Sequence, residues 1–137
     1  MKIRLSHIAV ATPKISEVAK RLETLSLKVS ENHTVASEMV EAAMIPVEVS
    51  RSLRIELLEP TSKDSPIAKF LEKRTSGGLH HLAFEVEGIE KWEELLQKEN
   101  IQILPPGIRK GARGRVLFIH PKEMGGVLVE LEEIRSQ

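Results

Sequence analysis

The chain repeats one sequence pattern at a fixed offset, and this repeat restricts its fold more than any other feature. The segment SHIAVATPKISEV aligns with HHLAFEVEGIEKW, and the alignment places His7 on His81. Without any gap, the same offset places Glu56 on Glu130, so the spacing from histidine to glutamate is identical in both copies. Because two copies are too few for a solenoid, the repeat predicts two modules related by a pseudo-twofold axis.

Each copy predicts the order strand, helix and three strands. Apolar residues alternate where strands are predicted, and they recur at helical spacing where the helix is predicted. In the first copy the predicted strands are 5–11, 27–30, 39–45 and 53–59, and the helix is 14–25. In the second copy the predicted strands are 80–86, 101–104, 115–119 and 126–132, and the helix is 88–99.

A third helix is predicted between the two copies, in the segment DSPIAKFLEKR at 64–74. Asp64 or Ser65 can cap this helix, and Pro66 suits its first turn. The expected fold class is therefore α+β. Two tandem βαβββ modules form a mixed sheet, and the helices pack on its outer face.

Length and composition restrict the function classes. A chain of 137 residues suits one domain, with module one at about 1–60, the linking helix at 64–74 and module two at about 79–137. Twenty basic residues balance twenty acidic ones, so net charge gives no reason to expect nucleic acid or a membrane as partner. The absence of cysteine excludes thiolate catalysis and cysteine-ligated zinc. With no signal-peptide pattern and no run of about 18 apolar residues, a cytoplasmic protein is expected.

Strand alternation places the repeated polar residues together. His7 and Ala9 share one face of the first strand, and the apolar Ile8 lies on the other. Glu56 also alternates with apolar neighbours, and the second copy repeats both arrangements. The apolar faces are expected to meet the helices. The opposite face then carries two histidines and two glutamates beside small alanines, which leave room for a cavity.

Two imidazoles and two carboxylates suit a divalent transition metal such as Zn, Ni, Co or Mn. A single histidine or glutamate on a strand is usually structural or faces water. Recurrence at equal spacing on the same predicted face favours ligation of one ion, if the modules pair about a twofold axis. His80 lies on the helix-facing side of its strand, which favours a structural role.

The pattern of a histidine on each first strand and a glutamate on each last strand resembles the vicinal-oxygen-chelate superfamily, which includes glyoxalase I and the extradiol dioxygenases. Within it, the chain is most similar to the methylmalonyl-CoA epimerase family, from LSHIAVAT to VLVELEE. The most specific stretches are IELLEPTSKDSPIAKFLEKRTSGGLHHLAFEVEGIE and FIHPKEMGGVLVELEE. The resemblance implies a glyoxalase-like fold in which the sheet curves around a metal cavity.

The resemblance also implies roles for individual residues. It maps the metal positions of the family onto His7, Glu56, His81 and Glu130, and some members have Gln in place of Glu56. It maps a catalytic carboxylate onto Glu41 in SEMVEAAMI. Upstream, Ser37 and Glu38 stand where the family often has a Gln-Gly or His-Gly pair, which leaves Glu38 as the alternative to Glu41.

The activity implied by the resemblance is interconversion of (R)- and (S)-methylmalonyl-CoA. A proton leaves the carbon between thioester and carboxylate and returns on the opposite face, while a divalent metal (Co, Mn, Ni or Zn) stabilises the enolate charge. Glu41 on one side and Glu130 on the other are expected to move the proton. Glyoxalase I (lactoylglutathione lyase), with the same ligand types, is an alternative. A metal-free binding protein of this fold is another, although such proteins typically lose the ligands.

A CoA thioester also needs partners for its phosphates. The loop PPGIRKGARGR offers Arg109, Lys110, Arg113 and Arg115 among three glycines. For any one of these residues, a solvated position in a basic hairpin loop is favoured over phosphate binding. The resemblance further implies a homodimer. Neither the metal nor the preference between methylmalonyl-CoA and ethylmalonyl-CoA follows from the sequence.

Overall fold

The computed structural model describes residues 2–47, 53–111 and 113–134. These residues form eight strands: β1 (Ile3–Ala11), β2 (Glu31–Val35), β3 (Val40–Pro46), β4 (Arg54–Pro60), β5 (Gly78–Val86), β6 (Arg109–Lys110), β7 (Arg115–Ile119) and β8 (Leu128–Glu133). They also form three α-helices: α1 (Ile15–Glu23), α2 (Pro66–Lys73) and α3 (Ile89–Lys98). Within the described ranges, no helix combines the length and apolar character that a membrane span requires.

The described residues divide into two compact units. The first unit is residues 7–80, and the second unit is residues 2–6 together with the described residues after 80. The linking helix α2 therefore belongs to the first unit. The initial residues of β1 belong to the second unit, where Arg4 forms an ion pair of 2.6 Å with Glu85.

In the first unit the strand order is β2-β3-β4-β1. The pairing of β1 with β4 is parallel, and the other two pairings are antiparallel. Helix α1 packs on one face, where Val18 and Leu22 contact a core that includes Leu57. Helix α2 packs on the other face, where Phe70 and Leu71 contact a second core. The first unit thus has an apolar layer on each face of its strands, and the expectation that the helices all pack on one outer face is wrong for α2.

In the second unit the strand order is β5-β8-β7-β6. The pairing of β5 with β8 is parallel, and the remaining pairings are antiparallel. Helix α3 packs through Ile89 and Leu96 against a core that includes Leu117 and Leu131. The mixed pairing and the α+β class predicted from the repeat are confirmed in both units.

The face that α2 covers in the first unit differs chemically from its counterpart in the second unit. In the first unit, Ala11 and Leu58 are buried in the core beneath α2. At the equivalent positions of the repeat, the second unit has Glu85 and Glu132 instead. Both carboxylates are ion-paired, Glu85 with Arg4 and Glu132 with Arg113. The two copies therefore keep the same strand pairing but fill one face in different ways.

Helices α1 and α3 begin in the same way, each with a glutamate from the last strand of its own module. Oε1 of Glu59 accepts a hydrogen bond of 2.7 Å from the backbone N–H of Ile15. Oε2 of Glu133 accepts one of 3.1 Å from the N–H of Ile89. The residue before each helix makes no side-chain capping bond. The glutamates thus satisfy amide donors that a helix start leaves without intrahelical partners, and negative charge is favourable there.

The two helices also end alike. Ser26 and Asn100, which are equivalent in the repeat, have positive φ angles of 63° and 59°. The next residue in each case, Leu27 or Ile101, donates its N–H to a carbonyl five residues back in the helix. This is the hydrogen bond of a Schellman ending, which needs one residue in the left-handed conformation.

The strands predicted at 27–30 and 101–104 are wrong. Residues 27–30 form no strand, and only Ile103 makes a β-bridge in the second segment. Their alternating apolar side chains, such as Leu27 and Val29, instead pack into the helix-side core from a connecting segment. The second strand of each module comes later in the chain, as β2 and β6, and the sequence did not predict these two strands.

Helix α2 starts as predicted. Pro66 occupies its first turn, and Oγ of Ser65 accepts a hydrogen bond of 3.2 Å from the N–H of Ile67. The same hydroxyl donates to the carbonyl oxygen of Glu38 at 3.1 Å. Ser65 rather than Asp64 is therefore the cap, and it also ties α2 to the turn before β3.

Replacing Glu59 by Ala is expected to lower the free energy of unfolding by about 0.5–2 kcal/mol, because the Ile15 amide loses its acceptor. Glu59→Gln is the matched control, since its side-chain carbonyl can still accept the bond, and it is expected to lose less. Urea-induced unfolding monitored by circular dichroism measures both. Wild-type stability in the Glu59→Ala variant would contradict the capping role.

Candidate active site

In the first unit, the parallel pairing of β1 with β4 holds His7 beside Glu56. Ala9 lies directly opposite Glu56, so the imidazole and the carboxylate project from the same sheet face. Nε2 of His7 is 3.8 Å from Oε1 of Glu56, and the two side chains are 6% and 13% exposed. The two side chains lie together, as the alternation predicted.

The second unit repeats this arrangement. In the parallel pairing of β5 with β8, Ala83 lies directly opposite Glu130. Nε2 of His81 is again 3.8 Å from Oε1 of Glu130, and the two side chains are 11% and 13% exposed. The sequence repeat is therefore an equivalence in structure as well.

The separation within each pair is too long for a hydrogen bond between the histidine nitrogen and the carboxylate oxygen. The four side chains are nevertheless largely withdrawn from solvent. Imidazole and carboxylate together are a donor set that divalent transition metals accept. Each unit therefore supplies a histidine–glutamate pair whose chemistry suits a divalent transition metal.

His80, adjacent to His81, lies on the other side of β5 and has a different environment. Its ring meets that of Phe70 from α2 edge to face, with 5.1 Å between centroids. Burial lowers the pKa of His80, because desolvation disfavours the imidazolium. This contact agrees with the structural role that the sequence favours for His80.

The structure places Glu41 on the face opposite to Glu56, which contradicts the orientation that a catalytic Glu41 requires. In the antiparallel pairing of β3 with β4, Glu41 lies opposite Glu59, whereas Met44 lies opposite Glu56. Residues opposite each other project from the same face, so Glu41 shares the face of α1 with the capping Glu59. The Glu41 carboxylate accepts a hydrogen bond from the hydroxyl of Thr34.

Glu38, the alternative to Glu41, lies in the 3-10 turn Ala36–Glu38 and is exposed. Its backbone carbonyl is the acceptor for Ser65. Among the described residues of β1, β3 and β4, Glu56 is the one carboxylate on the face that carries His7.

Two residues that flank the histidine–glutamate pairs were not predicted from the sequence. Met44 lies directly opposite Glu56 in β3, and Phe118 lies directly opposite Glu130 in β7. Met44 and Phe118 also align with each other when the two copies are superimposed in sequence, so the repeat contained the signal for their equivalence.

The basic hairpin around β6 and β7 uses its arginines differently. Arg113 pairs with Glu132 at 2.7 Å, and Glu132 is 5% exposed. Arg115 pairs with Glu133 at 2.7 Å and also with Glu90 of α3. The hydrogen bond from Arg115 lowers the pKa of Glu90. Two of the four basic side chains in this loop therefore already have carboxylate partners.

Residues 6–118 match the Glyoxalase/Bleomycin resistance protein/Dioxygenase superfamily, and the chain belongs to that superfamily. Within it, the chain belongs to the family of methylmalonyl-CoA epimerases, as its relatives show. It is 40% identical over 132 residues to methylmalonyl-CoA epimerase, mitochondrial, of Dictyostelium discoideum, and the match covers 95% of this chain and 78% of that protein.

Two further likenesses extend over almost the whole chain. The ethylmalonyl-CoA/methylmalonyl-CoA epimerase of Cereibacter sphaeroides is 39% identical over 134 residues, with 96% of this chain and 98% of that protein covered. A variant of Streptomyces coelicolor methylmalonyl-CoA epimerase, in complex with 2-nitronate-propionyl-CoA, has a TM-score of 0.81 at 28% identity. That match covers 97% of this chain and 98% of that one.

These likenesses confirm the predicted superfamily, the glyoxalase-like fold and the epimerase class of enzyme. One relative is named as mitochondrial and another comes from a bacterium, so the cytoplasmic location stays a prediction. The homodimer also stays a prediction.

Proposed function

We propose that this protein is a metal-dependent epimerase that interconverts (R)- and (S)-methylmalonyl-CoA by moving the proton on the α-carbon. The observation that carries the proposal is the pair of buried histidine–glutamate contacts, repeated at 3.8 Å in both units of a chain related to methylmalonyl-CoA epimerases. A relative bound to a CoA thioester analogue supports a CoA thioester as the substrate.

His7, Glu56, His81 and Glu130 are the proposed metal ligands. Two neutral imidazoles and two carboxylates match Co, Mn, Ni or Zn and balance a divalent charge. When bound, the metal acts as a Lewis acid that stabilises the negative charge developing on the substrate oxygens. The two members of each proposed pair lie on the first and the last strand of their module, which are paired neighbours.

Proton transfer is assigned to the carboxylates of Glu130 and Glu56. The reaction needs a group that takes the α-proton from one face and a group that returns one on the other. Glu130 is assigned removal of the α-proton from one face. We infer that Glu56 returns a proton on the other face, because it is the repeat equivalent of Glu130. The Glu41 side chain instead lies on the face covered by α1.

The four proposed ligands do not distinguish this activity from that of glyoxalase I, which uses the same residue types. The identity of 40% to a methylmalonyl-CoA epimerase favours the epimerase. The retention of both histidine–glutamate pairs argues against a metal-free binding protein. Assays of the metal-reconstituted protein with each methylmalonyl-CoA epimer and with the hemithioacetal of methylglyoxal and glutathione test the choice directly.

His81→Gln is expected to weaken binding of a divalent metal by at least about 10-fold. Loss of a residue that only hydrogen-bonds a metal ligand already lowers metal affinity by about this factor, and His81 is itself a proposed ligand. His80→Gln is the matched control. It changes the adjacent residue of the same type, which faces Phe70 instead of Glu130. Metal content after reconstitution and dialysis, measured on folded protein, compares the two. Equal metal content in both variants would remove His81 from the ligand set.

Glu130→Gln and Glu56→Gln are each expected to slow exchange of the substrate α-proton with deuterium by about 10²–10⁴-fold in one epimer. The two variants should affect opposite epimers, because each carboxylate serves one face. Glu41→Gln is expected to exchange both epimers at a rate close to wild type. NMR in deuterium oxide follows the exchange, and metal analysis of each variant separates loss of a base from loss of the ion. A severe loss in Glu41→Gln would restore Glu41 as the base.

A further inference from the structure

The guanidinium of Arg109 lies over the ring of Phe118, with 4.5 Å between Cζ and the ring centroid. Both residues belong to the β6–β7 pairing of the second unit. A cation over an aromatic face is attracted by the ring quadrupole, and this contact leaves the N–H donors at the edge of the guanidinium available. The ring therefore positions Arg109 without neutralising it.

Strand register places this arginine on the face of Glu130. Arg109 lies opposite Val116, and Phe118 lies opposite Glu130. Val116 and Phe118 alternate with residues that face α3, so the four side chains share one face. The neighbouring Lys110 lies opposite Arg115 and thus projects from the other face.

Arg109 also differs from the other arginines of the hairpin in its charge balance. Arg113 neutralises the buried Glu132, and Arg115 holds Glu90 and Glu133. Among the residues that the structure describes, Arg109 has no carboxylate within salt-bridge distance. It therefore gives the face of Glu130 an exposed positive group that contacts the Phe118 ring and, within the described ranges, has no carboxylate partner.

We propose that Arg109 binds an anionic group of the acyl-CoA substrate and thereby orients the thioester toward Glu130. The inference rests on the proposed function. Guanidinium presents paired N–H donors that match either a carboxylate or a phosphate. The substrate carries both, one carboxylate on the acyl group and phosphates on the CoA moiety. Arg109 is thus a residue that determines specificity for an anionic thioester.

The test measures equilibrium binding of malonyl-CoA to the metal-reconstituted protein by calorimetry. Arg109→Gln is expected to weaken binding by about 10–100-fold, since it removes a charge-assisted contact. Lys110→Gln removes the same charge from the adjacent position on the other face and is expected to stay within about 2-fold of wild type. Phe118→Leu keeps the apolar bulk but loses the ring, and a loss of about 2–5-fold is expected.

A second thioester separates the two anions. Malonyl-N-acetylcysteamine keeps the carboxylate but lacks every phosphate. If Arg109→Gln weakens binding of both thioesters by the same factor, the carboxylate is the ligand. If the effect is confined to malonyl-CoA, a phosphate is the ligand. If Arg109→Gln and Lys110→Gln bind both thioesters with the same affinity, the proposal is overturned.

The binding assay also keeps this inference separate from the proposed activity. A wild-type protein that binds malonyl-CoA but leaves both methylmalonyl-CoA epimers unchanged refutes the epimerase, while the Arg109 comparison still gives its result. In an active enzyme, Arg109→Gln should raise KM by a larger factor than it lowers kcat. A reduction of kcat alone, with binding unchanged, would contradict a binding role.

Discussion

The parallel pairing of the first strand of each module with its last strand is the constraint on which the candidate site depends. It sets Ala9 opposite Glu56 and Ala83 opposite Glu130, so each glutamate lies beside a histidine two residues away along the neighbouring strand. A shift of this register by one residue would turn the carboxylate to the opposite face, which is covered by α1 in the first unit and by α3 in the second. The glutamate that caps the helix and the glutamate of the site are three residues apart on the same strand, and they therefore project from opposite faces.

Much of this arrangement could be predicted from the sequence, because it depends on a repeat and on alternation. The equal spacing of the two histidine–glutamate pairs and their apolar neighbours placed each histidine on the same face as its glutamate, where the structure has them. The same alternation predicted strands at 27–30 and 101–104, and these two predictions are wrong. Alternating apolar residues predict a strand, but Leu27 and Ile103 alternate because they enter a core from a connecting segment beside a helix. Periodicity alone does not separate these two cases.

The orientation of Glu41 shows a different limit. The sequence shows that Glu41 projects from the face opposite to Val40 and Met44. Which of these two faces carries the candidate site depends on the pairing of β3 with β4. That register is set after the turn Ala36–Glu38 and the left-handed Met39, whose φ is 53°, and no local pattern indicates it. The contact of Arg109 with Phe118 likewise depends on the pairing of β6 with β7, and the sequence did not predict strand β6.

The unequal filling of one face in the two units has a consequence for how a duplicated chain diverges. One copy has apolar Ala11 and Leu58 under a helix, and the other has Glu85 and Glu132 held by arginines. A duplication begins with identical halves, and mutations outside the shared strand pairing can then change one half alone. The histidine–glutamate pairs have the same separation in both halves, so the symmetry is retained there while the neighbouring face has diverged.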